Sequence, residues 1–166
     1  MYPNDGFREL ERDECLRLLA KAPVGRIVHT RHALPAVLPL NFCVDGDGAV
    51  VFRTSATSEL VRAVDGAVVA FEADEIDAAA QSGWSVVVTG QAAVVTDPAE
   101  HERLARTGPR SWVPWPHEVF VRIEPELVTG RDLVAGRSLY GIDLSSCRPG
   151  PGRGDRRTRT RRHPGA

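Results

Sequence analysis

The sequence predicts a domain of the α+β class in which antiparallel β-strands dominate and form a small barrel. Seven runs rich in valine and other β-branched or aromatic residues read as strands, whereas only three segments read as helices. Runs of strands with so few helices are typical of small antiparallel barrels. The longest predicted strand contains Gly90, and a glycine inside a strand favours the bend that a barrel corner requires.

The chain is predicted to start with a helix and a strand. Leucines recur among charged residues in the first part of the chain, which predicts an amphipathic helix over residues 10–22, ended by Pro23. The run over residues 24–31 predicts the first strand, and a turn near His32 then reverses the chain.

The next two runs predict a hairpin. Residues 34–44 are extended but contain Pro35 and Pro39, which predicts an edge or bulged strand because proline cannot donate to a strand ladder. A turn of alternating aspartate and glycine over residues 45–48 leads into a strand over residues 49–54. These two strands should therefore lie side by side.

The end of this hairpin gathers groups that bind phosphate. Phe52 and Arg53 point to opposite faces of their strand, so one side chain can pack while the other reaches a ligand. A hydroxyl-rich segment over residues 55–58 follows, and residues 59–64 predict a short amphipathic helix. A guanidinium, several hydroxyls and the N–H groups of a helix start suit a phosphate monoester. This segment therefore indicates a phosphorylated cofactor.

The rest of the body completes the predicted barrel. Four more strands are predicted, over residues 67–73, 84–96, 117–123 and 127–134. An acidic, alanine-rich loop is predicted over residues 74–83. Asp97 is placed to cap a helix with Pro98 at its first position, and this helix should run to about residue 106.

The composition predicts one domain and a tail. Residues 1–146 suffice for a domain with a buried core, and residues 147–166 are rich in proline, glycine and arginine, so we expect the tail to be disordered. After Cys147 the tail carries seven arginines and one acid. It is either a solvated tail that rests on the acidic body or an electrostatic arm for nucleic acid or an acidic partner. Nucleic acid is not otherwise expected as a partner.

Cysteines, histidines and hydropathy exclude several classes of protein. The three cysteines are scattered and form no CxxC pair, which favours reduced thiols over disulfides or a zinc site. The five histidines show no HxH or HExxH spacing, so no protein-bound metal is predicted. No apolar run approaches the roughly 18 residues of a membrane span, and no signal-peptide pattern is present. We therefore expect a cytoplasmic protein without membrane contact.

Several short motifs occur in an order and at spacings that are more specific together than each motif is alone. They are Pro23-Val24-Gly25-Arg26, Pro39-Leu40-Asn41-Phe42, Phe52-Arg53-Thr54 followed by Ser58, Gly83-Trp84-Ser85-Val86 and Thr129-Gly130-Arg131. Through these motifs, residues 10–133 resemble the pyridoxamine 5'-phosphate oxidase-like flavoproteins. The resemblance is to the short bacterial branch that includes nitroimidazole-reductase-like proteins.

The resemblance implies a split β-barrel with short flanking helices that forms a homodimer and binds FMN in two symmetric grooves between the subunits. In such proteins the strand and turn that match Arg53, Thr54 and Ser58 hold the phosphate. Relatives commonly carry a lysine directly after the serine, where this chain has Glu59, and a carboxylate there repels a phosphate. We hypothesise that Arg62, one helical turn later, supplies part of the missing positive charge.

The resemblance also implies which residues lie at the flavin ring. The backbone and side chains near Asn41, Phe42 and Phe52 would line the ring. The segment that contains Trp84 and Ser85 would lie close to the same groove. No residue can be named as a catalytic acid or base.

The leading functional hypothesis is an FMN-dependent oxidoreductase that transfers a hydride to or from a small organic substrate. NAD(P)H, if used, would be a transient donor, because no dinucleotide-binding glycine pattern occurs. Authentic pyridoxamine-phosphate oxidase activity is not expected, because the C-terminal Arg-x-His pair of those enzymes has no counterpart in the predicted body. Two alternatives remain: a flavin-binding or storage module without turnover, and the same fold with a deazaflavin or haem.

Overall fold

The computed structural model describes residues 7–114 and 116–133. These residues form eight strands and three helices. In chain order the elements are β1 (Phe7–Glu9), α1 (Arg12–Leu19), β2 (Val24–Arg31), β3 (Leu34–Val44), β4 (Val50–Ser55), α2 (Glu59–Val64), β5 (Val68–Asp77), β6 (Ser82–Val94), α3 (Pro98–Thr107), β7 (Glu118–Ile123) and β8 (Leu127–Leu133). The predicted domain boundary at 146/147 and the predicted tail lie outside the described residues.

Six antiparallel strands close into a barrel. Their order around the barrel is β6, β5, β2, β3, β4 and β7, and the barrel closes because β7 also pairs with the end of β6. The strand β8 pairs with the first part of β6, and β1 extends the sheet beyond β8. The predicted α+β class with mainly antiparallel strands in a split barrel is thereby confirmed.

A glycine marks the point where the longest strand changes its neighbour. Residues 83–89 of β6 pair with β8, whereas residues 92–94 pair with β7. Gly90 lies between these two stretches, and a Cβ at this position would overlap the carbonyl oxygen of Glu124. The absence of a side chain therefore lets the chain between β7 and β8 cross close to β6, at the corner that the sequence predicts.

The third strand begins as an edge strand. Residues 34–41 of β3 pair with β2, and residues 42–44 pair with β4. In the described part of the chain, Pro35 and Pro39 therefore lie in a stretch with a single neighbouring strand, as the sequence predicts. His32 and Ala33 join β2 to β3 with φ angles of 49° and 61°, the left-handed conformation of a tight hairpin turn.

The core fills the barrel and is closed by two helices. Phe52, Phe71 and Ile27 are fully buried on the inner faces of their strands. α2 contributes its buried apolar residues Leu60 and Val64 to this core, so it covers one end of the barrel. α1 does the same with its buried residues and contacts β8.

The third helix covers the outer face of β4 and β7. Leu104 of α3 packs with Val51 and Phe120 in a second, smaller apolar cluster. Asp97 caps this helix by accepting hydrogen bonds from the next backbone N–H groups, and Pro98 occupies its first turn, as the sequence predicts.

A charged cluster ties the β3–β4 turn to α3 and β7. Arg103 donates two hydrogen bonds to the Asp45 carboxylate, at 2.9 and 2.7 Å, and Arg122 donates a third at 2.9 Å. The side chains of Asp45 and Arg122 are only 18% and 15% exposed. The hydrogen bond from Arg103 is the largest of the causes that hold the pKa of Asp45 well below its ordinary value.

The prediction of an acidic loop over residues 74–83 is wrong, because most of these residues lie in β-strands. β5 continues to Asp77, β6 begins at Ser82, and the two pair throughout. Glu72 and Asp74 are held by Arg26 on the neighbouring strand, at 2.9 and 3.3 Å. Cross-strand pairing and this arginine compensate for the low strand propensity of acidic residues.

The ends of several other elements also differ from the prediction. The first helix is shorter than residues 10–22, and the three-residue strand β1 was not predicted because it is exposed throughout and too short for a periodic pattern. Within the described ranges, no helix combines the length and the apolar character needed to cross a bilayer.

Replacing Gly90 with alanine should destabilise the fold by about 3 kcal/mol, because the new methyl group meets backbone that cannot move without opening the barrel corner. Chemical denaturation followed by circular dichroism measures this change. The matched control is Gly46→Ala, since nothing lies within 4 Å of a Cβ at that turn position. Equal stability of the two variants would contradict the assigned role of Gly90.

Replacing Asp45 with asparagine should lower the free energy of unfolding at pH 7 by about 2 kcal/mol, because two arginines lose a charged partner. Because folding lowers the pKa of Asp45, its carboxylate stabilises the fold fully at pH values above 3.8, the ordinary pKa of the group. This contribution is lost as the pH falls below that value. The difference between the two proteins should therefore shrink below about pH 4.

Unfolding curves at several pH values measure both parts of this prediction. Glu102→Gln is a suitable control because its ion pair with Arg106 is exposed and should contribute little. A stability difference at Asp45 that is independent of pH would contradict the explanation.

Candidate functional site

Arg53 lies on the outer face of the barrel, one residue away from a core aromatic. Phe52 is fully buried inside the barrel, and the Arg53 side chain is 25% exposed on the opposite face. The alternation predicted for these two residues is therefore confirmed. The Arg53 guanidinium stacks over the Phe120 ring, with 5.2 Å from its central carbon to the ring centroid.

The pairing of β4 with β7 decides what surrounds this guanidinium. Arg53 is opposite Phe120, and Ser55 is opposite Glu118. Glu118 is thus the diagonal neighbour of Arg53 and forms an ion pair with its Nη2 atom. The Nε atom of Arg53 is buried and has no hydrogen-bond partner among the described residues. In this site one nitrogen of the cation is paired with a carboxylate, and another nitrogen has no acceptor among the described residues.

Hydroxyl groups lie directly after Arg53. Ser55 Oγ and Thr57 Oγ1 are 3.1 Å apart, and Ser55 Oγ donates to the carbonyl of Pro116 at 3.3 Å. Ser58 Oγ accepts a 3.2 Å hydrogen bond from the Val61 N–H, which caps α2. These bonds fix the course of the segment between β4 and α2, which we call the exit segment (residues 55–58).

The predicted hydroxyl of Thr54 lies on a different face from Arg53. Thr54 is buried and, by the alternation of the strand, shares the inner face with Phe52. Ser55 shares the outer face with Arg53. The structure therefore brings Arg53 together with the exit segment, and it directs the Thr54 side chain toward the end of the barrel interior.

An open groove of about 440 Å³ lies beside the exit segment, between the β2–β3 turn and α2. It is lined by Thr30, Arg31, His32, Glu59, Arg62 and Ala63. Glu59 forms an ion pair with Arg31, so its charge is balanced by a residue that the sequence interpretation did not consider. Arg62 donates to the carbonyl of Thr57 at 3.3 Å, which connects the groove to the exit segment.

Two of the three residues predicted at the flavin ring have side chains in the core. Phe42 packs against Phe71 with 4.6 Å between ring centroids, and Phe52 lies in the same cluster. Asn41 is only partly buried, and its side-chain amide donates to the carbonyl of Arg110. Asn41 therefore holds the segment between α3 and β7.

Trp84 and Ser85 lie in a part of the sheet that does not pair with the strand of Arg53. They pair with Glu75 and Asp74 at the start of β6, whereas the part of β6 that pairs with β7 begins at residue 92. Arg53 lies on β4, which pairs with β3 and β7, so the strand pairings do not make Trp84 or Ser85 its neighbours.

The sequence interpretation missed two acidic or basic partners at this site, Glu118 and Arg31. Neither belongs to a recognisable motif. Glu118 and Phe120 are, however, two residues apart on β7, which indicates that their side chains are on the same face of the strand. His29 is buried on β2, the strand whose last residues Thr30 and Arg31 line the groove. Its Nδ1 atom has no hydrogen-bond partner among the described residues, and burial lowers its pKa.

Metal-binding side chains are not clustered in the part of the chain described here: no three His, Cys, Asp or Glu residues are arranged to hold an ion.

Comparison with known proteins places this geometry in a family. The family model described as pyridoxamine 5'-phosphate oxidase matches residues 11–132 of the chain. An uncharacterized protein of Mycobacterium tuberculosis is 48% identical over 132 residues, which cover 76% of this chain and 86% of that protein.

Solved structures agree with this match. The FAD binding protein from Mycobacterium smegmatis is 37% identical, with a TM-score of 0.65, and the match covers 75% of this chain and 98% of that chain. A conserved protein of unknown function from Corynebacterium diphtheriae is 34% identical, with a TM-score of 0.66, over 78% of this chain and all (100%) of the other. Because the family match spans all six barrel strands and the Arg53 site, the chain belongs to the pyridoxamine 5'-phosphate oxidase-like family.

Proposed function

We propose that this protein binds FMN through its phosphate at Arg53 and the exit segment, and that it works as a homodimeric oxidoreductase. The observation that carries the proposal is the state of Arg53. Its guanidinium is half-buried against Phe120, and its Nε donor is covered and has no partner among the described residues. A buried donor without an acceptor is costly, and a phosphate oxygen is a strong acceptor.

The neighbouring residues fit a phosphate monoester. Ser58 Oγ accepts from the α2 backbone, so its O–H hydrogen is directed elsewhere, and Thr57 carries a second hydroxyl on the exposed segment. Arg31 balances Glu59, which removes the net repulsion that the sequence suggests at this position. Arg53, Thr57 and Ser58 thus offer one cation and two hydroxyls to an anionic group.

A second copy of the chain would complete the site. Trp84 and Ser85 are not neighbours of Arg53 in the strand pairings of one chain, and a groove between two chains would bring both sets of residues together. The free stretch of β3 supports this arrangement, because it exposes the apolar residues Leu34, Val37 and Leu38. An exposed apolar strand edge is a surface that proteins usually cover.

The division of labour between cofactor and protein follows from this site. When bound, a flavin supplies the transfer of a hydride or of electrons to a small organic substrate. Arg53 and the exit segment fix the phosphate, and the packed aromatic pair Phe42 and Phe71 keeps the barrel rigid beneath the site. The chain contributes position and exclusion of water, and no described residue is assigned as an acid or base.

FAD is a second candidate for the cofactor. The solved relative from Mycobacterium smegmatis is described as an FAD binding protein. In this chain the groove beside the exit segment contains Arg31 and Arg62, which are suited to the second phosphate and ribose of a longer flavin nucleotide. Chromatography of the cofactor released from the purified protein distinguishes the two, because FMN and FAD separate readily.

The absorbance spectrum of the purified protein tests the proposal directly. Bound flavin gives a yellow protein, and a protein purified without cofactor should take up added FMN in a titration. A colourless protein that ignores FMN at high micromolar concentration would overturn the proposed function. Steady-state oxidation of NAD(P)H with a quinone or nitroaromatic acceptor then tests for turnover.

Replacing Arg53 with alanine should weaken FMN binding by roughly ten- to a hundredfold, because charge-assisted hydrogen bonds to the phosphate are lost. Binding of riboflavin, which lacks the phosphate, should change much less. Fluorescence titration of both ligands measures the two affinities. Arg26→Ala is the control, since Arg26 is an exposed arginine held by Glu72 and Asp74 away from the site. Equal losses for FMN and riboflavin would contradict a phosphate role.

Placing a charge on the free stretch of β3 should separate the proposed dimer. Val37→Asp introduces a carboxylate at a residue that is 59% exposed in the single chain, so it should not disturb the fold of one copy. We expect a monomer with weaker FMN binding, because half of each groove is lost. Analytical ultracentrifugation measures the mass. A wild-type protein that sediments as a monomer would refute the dimer.

A further inference from the structure

The proposed function does not explain why Glu118, which forms an ion pair with Arg53, lies in the site. Glu118 begins β7 and directs its carboxylate at Arg53, and its side chain is 24% exposed. A carboxylate at the centre of a phosphate site is unfavourable when the phosphate is bound, because like charges repel. When no phosphate is bound, the same carboxylate balances a half-buried guanidinium.

The ion pair involves a guanidinium nitrogen that a phosphate would also use. The Nε–H and one Nη2–H of arginine point to the same side and form the two prongs of a bidentate contact. Glu118 contacts Nη2, and Nε has no partner in the described part of the chain. The carboxylate thus pairs with one of these two nitrogens and leaves the other without an acceptor among the described residues. A phosphate with three acceptor oxygens can satisfy both.

Phe120 restrains the side chain of Arg53. The central carbon of the guanidinium lies over the Phe120 ring, which packs with Val51 and Leu104 and contacts the His101 ring. Rotation of the guanidinium would break this stacking. A phosphate that binds Nε and Nη2 therefore competes with Glu118 for Nη2.

We propose that Glu118 is a displaceable occupant of the phosphate position and that it sets how strongly the site prefers a phosphorylated flavin. This inference rests on the proposed function. Binding of the phosphate moves the carboxylate away from Nη2. Because this breaks the ion pair, the phosphate binds less tightly than it would without Glu118. Glu118 acts through Arg53 and is a specificity-determining residue rather than a catalytic one.

The test measures the affinities of FMN and riboflavin for the full chain and for Glu118→Gln. Glutamine keeps the size of the side chain and removes its charge, so FMN should bind about five- to tenfold more tightly. Riboflavin has no phosphate and should bind with an affinity within about twofold of the wild-type value. The ratio of the two affinities is the readout, because a general change in structure would move both.

Two further variants make the test decisive. Glu118→Asp draws the carboxylate back by one methylene group, so it should shift the ratio in the same direction by about two- to threefold. It carries the test if the glutamine variant does not fold. Glu102→Gln makes the same change of net charge on an exposed ion pair of α3 and should leave the ratio unchanged.

The outcomes separate this inference from the proposed function. Tighter FMN binding at an unchanged riboflavin affinity supports the inference. Weaker FMN binding in Glu118→Gln would overturn it, because Glu118 would then merely orient Arg53, and so would equal shifts for both ligands. Absence of FMN binding in the wild-type chain and in every variant would overturn the proposed function, and the inference with it.

Discussion

The pairing of β4 with β7 is the constraint on which the rest of the molecule depends. It closes the barrel on one side, because β7 then reaches the end of β6. The same register sets Arg53 opposite Phe120 and diagonal to Glu118, and it provides the surface on which α3 packs. At the other end of the pair, the cluster around Asp45 fixes β7 to the β3–β4 turn. One ladder therefore positions both the core and the candidate site.

Balanced charge is a second feature of the site. Each acidic residue near the expected phosphate has an arginine partner: Glu118 contacts Arg53, and Glu59 contacts Arg31. The Glu59 pair is exposed and weak, whereas the Arg53 pair is shielded by Phe120 and by the strand beneath it. Glu59, which stands where relatives carry a lysine, is thus paired with Arg31 of β2, and the less exposed of the two carboxylates is Glu118.

Much of the fold could be predicted because its signals are local. Strand periodicity, the Asp97 cap and the glycine at the barrel corner each act within a few residues, and the structure contains all three. The acidic stretch before Asp77 was misread because its strand conformation depends on a neighbouring strand and on Arg26. Arg53 was predicted as a site residue from its type and position. Glu118 was not, because their contact depends on the register of strands that are distant in the chain.

The exit segment is attached to the chain that precedes β7 as well as to α2. The Ala56 N–H donates to the carbonyl of His117 at 2.8 Å, and Ser55 Oγ donates to the carbonyl of Pro116. A displacement of residues 116–117 would therefore also break two hydrogen bonds that hold the exit segment. Hydrogen–deuterium exchange at the Ala56 amide would report how often the exit segment opens in the absence of ligand.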